Sequence, residues 1–261
     1  MLSRTPDFDL TASTFELHRG FPPGVAEQIR DGVRRSIGDD RNARVLDLGA
    51  GTGRIGRAFQ AAGDFYIGVD ASLEMLREFQ RRQPDARLVL ADGACLPFPD
   101  GAFDVVMMMQ VLSGAGGWRG LLRDACRVLH PDGLVVVGQT VGPESGIDAQ
   151  MKKRLAAILE DVGAGAEQQH QRRFEALAWL QSAAQTAASA VAVTWIAQRT
   201  PRMFMERHRT GNRFRKLPGP IQETALQELA AWAESTYGSL DASFQEHHRF
   251  ELHTFQIKGT K

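Results

Sequence analysis

VLDLGAGTGRIG, from Val45 to Gly56, sets a short apolar run against four glycines within eight residues. The run reads as a buried strand and the glycines as the turn that leaves it. Two counts are open. Started at Gly51 the turn reads G-x-G-x-x-G, the pattern of a dinucleotide-binding loop. Started at Gly49 it reads G-x-G-x-G, and the third glycine of the dinucleotide pattern falls on Arg54.

Outward from this turn, strand and helix signals alternate. Strands are predicted at 44–48, 65–69, 87–90, 103–109 and 134–137, the last after a turn at His130-Pro-Asp-Gly133. Helices are predicted at 54–62, 73–83 and 118–129, with Ser72 as the cap of the second. Upstream, Val25, Ile29, Val33 and Ile37 lie four apart and mark one face of a helix over 23–37. Short apolar strands with helices between them call for a parallel sheet covered on both faces.

Past Gln139 the rhythm changes. Helices are predicted at 150–162, 172–184, 201–215 and 221–237, and strands at 191–196 and 249–257. This half reads as completing the same sheet and supplying a helical lid, since no Pro/Gly/Ser linker divides the chain. One domain over 1–261 is expected, with a helical arm at 1–40, a ligand-binding core at 43–140, and lid helices with the last two strands at 141–261.

Composition narrows the function. The 261 residues hold 31 Lys plus Arg against 31 Asp plus Glu, so no global field steers the chain to nucleic acid or anionic lipid. Two cysteines, Cys95 and Cys126, do not build a disulfide framework or a zinc cluster. No run reaches the roughly 18 apolar residues of a membrane span, and MLSRTPDFDL lacks the apolar core of a signal peptide. A cytoplasmic protein is expected, with a small-molecule partner, no membrane and no metal. A monomer and a homodimer stay open.

A glycine turn after a strand lets backbone approach a ligand closely. Ligands of open α/β sheets bind outside the carboxyl ends of the strands. Asp47, Asp70 and Asp92 converge on that rim, and Asp70 stands 19 residues beyond Gly51, placed for ribose hydroxyls. Three carboxylates suit a cationic cofactor without phosphate better than a pyrophosphate. S-adenosylmethionine, with its sulfonium, ammonium, ribose and adenine, is such a molecule.

VLDLGAGTGRIG, YIGVDASLEML, LVLADGACLPFPDGAFDVVMMMQVL and RVLHPDGLVVVGQ stand in an order and spacing that resembles class I S-adenosylmethionine-dependent methyltransferases of the ubiquinone/menaquinone-biosynthesis type. The resemblance runs from about Ala43 to Gly138. It implies a Rossmann-like, seven-stranded, mostly parallel sheet whose last strand is antiparallel. It assigns Asp47, Gly49, Ala50 and Gly51 to the methionine end of the cofactor, and Asp70 with Ala71 to the ribose. It places Met75 on the adenine, Asp92 with Gly93 and Ala94 at the adenine amino group, and Met109 and Gln110 near the sulfonium. Many relatives carry His where Gln110 stands, and often another at Ser113. The loop that follows, Gly114-Ala-Gly-Gly117, is unusually small.

Other features take bland readings. Gly53 and Gly56 are read as turn and packing glycines, and Met107, Met108, Cys95 and Cys126 as core. His130 is read as structural, and His247 and His248 as surface. Arg19, in the arm segment Phe15-x-x-His18-Arg19, is a candidate partner for the methionyl carboxylate. His18, His170 and His208 are candidate bases on the expected lid, none singled out by spacing. Arg199–Lys216 holds seven Lys or Arg and one acid; an exposed helix face and an anionic substrate or RNA phosphate both fit it. Transfer to a small molecule is the leading reading. An RNA methyltransferase, a nucleotide-dependent oxidoreductase and a non-catalytic cofactor-binding protein stay open.

Overall fold

The computed structural model describes residues 12, 15–38, 42–113, 117–164 and 169–258. The chain runs α1 (Phe15–Arg19), α2 (Val25–Ile37), β1 (Val45–Leu48), α3 (Gly56–Ala61), β2 (Tyr66–Asp70), α4 (Leu73–Arg82), β3 (Leu88–Leu90), β4 (Phe103–Met109) and α5 (Trp118–Val128). It continues through β5 (Leu129–Val141), α6 (Ile147–Asp161), α7 (Gln169–Ala183), β6 (Ala184–Arg199), α8 (Pro201–Arg209), α9 (Asn212–Arg215), α10 (Gly219–Tyr237) and β7 (Phe244–Ile257).

The strands form one sheet in the order β3-β2-β1-β4-β5-β7-β6. β1 to β5 are parallel, and β7 runs antiparallel to both β5 and β6. This is the seven-stranded, mostly parallel, Rossmann-like sheet expected, with the last strand reversed. The order reverses beside β1, so the loops after β1 and β4 meet at a switch point, where such sheets bind ligands.

Alternation sorts each strand between two cores. Val45, Val105, Met107 and Phe250 face α2, α3 and α4, and pack with Ile29, Val33, Phe59 and Phe79. Leu46, Leu48, Val106, Met108 and Val137 face α5 and α7, and pack with Leu122, Ala125 and Leu180. Met107 and Met108 are thus core, as read from the sequence. All four apolar positions of α2 are buried. A third cluster, Met151, Leu155, Ile158, Phe204, Phe214 and Leu229, joins α6, α8, α9 and α10.

Several boundaries differ from those predicted. The predicted turn at 130–133 lies inside β5 as an irregularity: Phe103 pairs with Leu129, and pairing resumes at Val105 with Leu134. β6 is 16 residues long and takes in the Ala-rich stretch 184–190, which has poor strand propensity. Its ladder with β7 imposes the extended conformation there. The basic segment is two helices, α8 and α9. Cys95 is exposed, not core, and Cys126 is half-buried with its thiol pushed up to about 11 by burial. His248 is buried at 5% exposure, not on the surface, whereas His247 is exposed.

Candidate active site

The glycine turn answers the question of the two counts. Gly49, Gly51 and Gly53 have φ of 80°, 56° and 79°, in the left-handed region that disfavours a side chain. Gly56 is the first residue of α3, and its lack of a side chain serves packing: a Cβ there would lie 2.1 Å from the Tyr66 hydroxyl. A Cβ on Gly53 would lie 2.4 Å from the Phe79 ring. The fold therefore turns on the G-x-G-x-G frame that starts at Gly49.

The donors of that turn are held internally. The Gly49 and Ala50 N–H groups donate to the Val69 carbonyl at 2.8 and 3.0 Å. The Gly51 N–H donates to Asp70 Oδ2 at 2.8 Å, and the Ser72 N–H to Asp70 Oδ1 at 2.9 Å. A loop that cradles pyrophosphate points such N–H groups at the ligand; this one fixes them to β2.

Asp47 occupies a core position on β1 at 2% exposure. The Tyr66 hydroxyl donates to its Oδ2 at 2.7 Å, and Oδ1 has no hydrogen-bond partner. Burial, together with the nearby negative charge of Asp70, pushes its carboxyl up to about 7; the Tyr66 bond opposes this. A buried carboxylate oxygen without a donor, beside a second carboxylate, is a place for a cation. The same burial and the adjacent Asp47 raise the Tyr66 hydroxyl well above its usual range.

Farther along the rim, Asp92 is exposed and accepts from the Ala94 N–H at 2.9 Å, with half-buried Gly93 between them. Ala71 is exposed after Asp70. Met75 is 3% exposed in the first turn of α4, its N–H capped by Ser72 at 3.2 Å. Met109 closes β4 at 8% exposure. Gln110, at φ 63°, is the one non-glycine with positive φ among the described residues. Its amide donates to Thr140 Oγ1 at 2.6 Å, and its carbonyl accepts from Arg54. Strain of this kind gathers at functional sites.

Arg54, Glu16 and Thr140 were not singled out by the sequence. Half-buried Arg54 also donates to the Arg19 carbonyl and lies over the Phe21 ring at 4.3 Å. Burial lowers its guanidinium to about 10, against the opposing pull of Glu16. Glu16 accepts from Thr52 Oγ1 at 2.7 Å, from Arg57, and from Arg82 of α4. The arm is thereby pinned across the glycine turn. Arg19 itself donates to the Arg207 carbonyl at 2.9 Å, near the C-terminal end of α8.

Beyond β5, Asp148 meets Arg199 at 3.3 Å and Arg207 at 2.9 Å, and Glu246 meets His248 at 3.0 Å. Asp148, Glu246 and His248 bring donor atoms within 4.8 Å of one another, as a metal site would. Arg199 and Arg207 already supply the countercharge there. Arg202 pairs with Asp241, so three cations of the basic segment are matched within the chain. Of the three candidate bases, the side chains of His18 and His170 lie outside the described residues, as does the loop 114–116. His208 stacks on Phe204 at 3.8 Å, and burial with Arg207 nearby drops it to about 4. No helix among the described residues is long and apolar enough to cross a membrane.

Residues 46–137 match the family model of a methyltransferase domain. A demethylmenaquinone methyltransferase of Renibacterium salmoninarum is 31% identical over 141 residues, 54% of this chain and 57% of that relative. The chain spans about half the length of the curated relatives it matches. The YcgJ protein of Bacillus subtilis superposes with a TM-score of 0.54 at 21% identity, over 87% of this chain and 98% of that one. A phosphoethanolamine N-methyltransferase of Haemonchus contortus, solved with phosphomonomethylethanolamine and S-adenosylhomocysteine, gives 0.50 at 17% identity, over 99% and 59%.

Proposed function

On the premise that residues 46–137 are an S-adenosylmethionine-dependent methyltransferase domain of class I fold, we propose that the whole chain transfers the methyl group of S-adenosylmethionine to a small-molecule acceptor. The observation that carries the cofactor is the turn itself. Its N–H groups at 49, 50 and 51 are committed to β2, and beside them Asp47 keeps a buried oxygen without a donor. That pairing favours an ammonium or sulfonium and disfavours a pyrophosphate.

In this reading Asp47, Gly49, Ala50 and Gly51 hold the methionine end, and Asp70 and Ala71 the ribose. Met75, Asp92, Gly93 and Ala94 hold the adenine. Met109 and Gln110 lie beside the sulfonium, with Gln110 positioned by Arg54 and Thr140. Arg19 is left out of the set, because its guanidinium donates to α8. When bound, the cofactor supplies an activated methyl for direct displacement. The chain's share is to hold the acceptor in line and keep water out. The third cluster and the arm serve as the cover over this rim. The relatives' name offers a first acceptor to try, a demethylated menaquinone-type ring.

Calorimetry tests the cofactor. S-adenosylhomocysteine should bind to the wild type, D70A should bind it at least about tenfold more weakly, and NAD should give no heat. Labelled-methyl transfer into the small-molecule fraction of a cell extract tests the activity. Tight binding of NAD with none of S-adenosylhomocysteine would overturn the reading.

A further inference from the structure

We propose that Glu246 and His248 form a proton-accepting dyad for the methyl acceptor, an inference that rests on the transferase reading above. Both residues lie on β7 two apart, and so on one face of the strand. Arg249 pairs with Val141, the last residue of β5, which sets His248 level with Gly142 on the carboxyl rim of the sheet. Both are buried, Glu246 at 4% and His248 at 5% exposure.

The geometry fixes the roles. Glu246 Oε1 accepts from the Ile147 N–H at the start of α6, and Oε2 lies 3.0 Å from His248 Nε2. Burial raises the Glu246 carboxyl, but the His248 and Ile147 hydrogen bonds outweigh it and hold it below its usual range. A carboxylate that is ionised and pinned accepts from Nε2–H. In the neutral ring Nδ1 is then the lone-pair nitrogen, and it has no hydrogen-bond partner. The Nδ1–Cε1 edge faces Gly142: a Cβ there would lie 3.0 Å from Cε1 and 3.3 Å from Nδ1.

Contacts run unbroken from the cofactor turn to the face of the His248 ring. Arg54 holds Gln110 and covers Phe21; Phe21 meets Trp195 edge-on at 5.8 Å; Trp195 stacks on His248 at 5.8 Å. Thr140, which takes the Gln110 hydrogen bond, stands two residues before Gly142 on the same face, about 7 Å away. A lone-pair nitrogen at the carboxyl rim, beside a pinned carboxylate, suits an acceptor that carries an acidic hydroxyl. The charged groups around the dyad are Asp148 of α6, Arg199 of β6, Arg207 of α8 and, through Glu246, Tyr237 of α10.

The hydroxyl proton passes to His248 Nδ1, and the imidazolium is stabilised by Glu246. The O–H electron pair stays on the acceptor as a phenolate; the new bond to the methyl forms at that oxygen, or at the ring carbon it activates, which then gives up its own proton to water, while the C–S pair stays on the cofactor's sulfur. His248 is thus a catalytic residue and Glu246 a positioning residue.

The test combines nitrogen-15 NMR of the histidine rings with transfer assays on wild type, H248Q and E246Q. In the wild type near pH 7, His248 should show a protonated Nε2 and a bare Nδ1, and E246Q should lose that fixed tautomer. H248Q should bind S-adenosylhomocysteine as the wild type does, yet methylate a demethylmenaquinol-type naphthalenediol or the extract's small molecules about 100-fold more slowly. A wild-type His248 protonated on Nδ1, or an H248Q variant within about threefold of wild type, overturns the dyad alone. If H248Q fails to fold, the NMR tautomer and the E246Q rate decide in the same way. A wild type that binds the demethylated cofactor and labels nothing overturns the transferase reading and the dyad with it.

Discussion

The carboxylate of Glu16 grips the guanidinium of Arg57 through two hydrogen bonds, Oε1 to Nη1 at 2.7 Å and Oε2 to Nη2 at 3.0 Å. Glu16 belongs to α1 and Arg57 to α3, so the fork fastens the arm to the helix that leaves the glycine turn. Thr52 and Arg82 add to the same carboxylate. Burial raises the Glu16 carboxyl, but the Arg57 and Thr52 hydrogen bonds outweigh it and leave its pKa lowered. Replacing Glu16 by Ala should release the arm and cost the fold only about 1 kcal/mol, since α1 is short and the site is partly open to water. S-adenosylhomocysteine should then leave about tenfold faster, by stopped-flow fluorescence. Unchanged release would mean the arm does not cover the cofactor.

The glycines of the turn should separate by what their missing side chains would meet. Gly56→Ala puts a methyl 2.1 Å from the Tyr66 hydroxyl and 3.0 Å from Phe79, both inside the core. Overpacking there should cost about 1–3 kcal/mol, and would disturb the Tyr66–Asp47 bond as well. Gly51→Ala meets nothing nearer than 3.9 Å, and its cost is the φ of 56°, about 1 kcal/mol. The first variant should lose melting temperature, and the second should keep most of it while losing cofactor affinity. Equal losses in both measurements would remove the distinction between a packing and a ligand-facing glycine.

Arg127 of α5 ties down the segment that carries Asp92. It donates to the carbonyls of Leu96 and Phe98 at 3.0 and 2.8 Å, and meets Asp100 and Asp124 at 2.8 and 2.7 Å. Asp124 in turn accepts from the Leu96 N–H. One planar fork satisfies four acceptors, which a lysine does not reproduce. Arg127→Lys should lose about 1–3 kcal/mol of stability and protect the amides of 95–100 less against hydrogen exchange. Wild-type protection in the variant would show that the loop holds itself.

The sheet was legible because its signals are local. The apolar runs at 45–48 and 103–109 and the four-residue spacing of Val25 to Ile37 each state their element within a few residues. The carboxylates at strand ends followed from period and count. What was not legible depends on contacts far apart in sequence. β6 extends over 184–190 only because β7 pairs with it, against the propensity of alanine. Glu16 carries no local signal, because its three arginine and threonine partners lie 36 to 66 residues away. His248 reads as surface in a stretch with His247 beside it; the alternation of β7, which buries Glu246 and His248 and exposes His247, was the available signal. Arg54 appeared only as the residue that spoiled a glycine pattern. Its guanidinium fills the space between arm and rim, and no spacing rule reports that.

Asp47 offers the sharpest test, because its two roles oppose each other. Its folded-state carboxyl is raised to about 7 from an ordinary 3.8, so the native chain binds a proton there that the unfolded chain has released. The contribution of this group to stability is therefore fully present below about pH 4, and it falls as pH rises toward 7. Asp47→Asn keeps the shape and an acceptor for Tyr66, and removes the charge. At pH 8 it should stabilise the fold by about 1–4 kcal/mol, a tenfold change in proton affinity being worth about 1.4 kcal/mol at most. At pH 4 it should change little. Cofactor binding should move the other way. A cation beside Asp47 draws its proton off, so wild-type affinity for S-adenosylmethionine should rise from pH 6 to pH 8 with release of up to one proton. The Asn variant should bind more weakly and without that slope. Denaturant melts at the two pH values and calorimetry in two buffers of different ionisation heat read both effects. A variant less stable than wild type at pH 8, binding the cofactor with the same pH slope, would mean that the buried charge is neither strained in the free protein nor seen by the ligand.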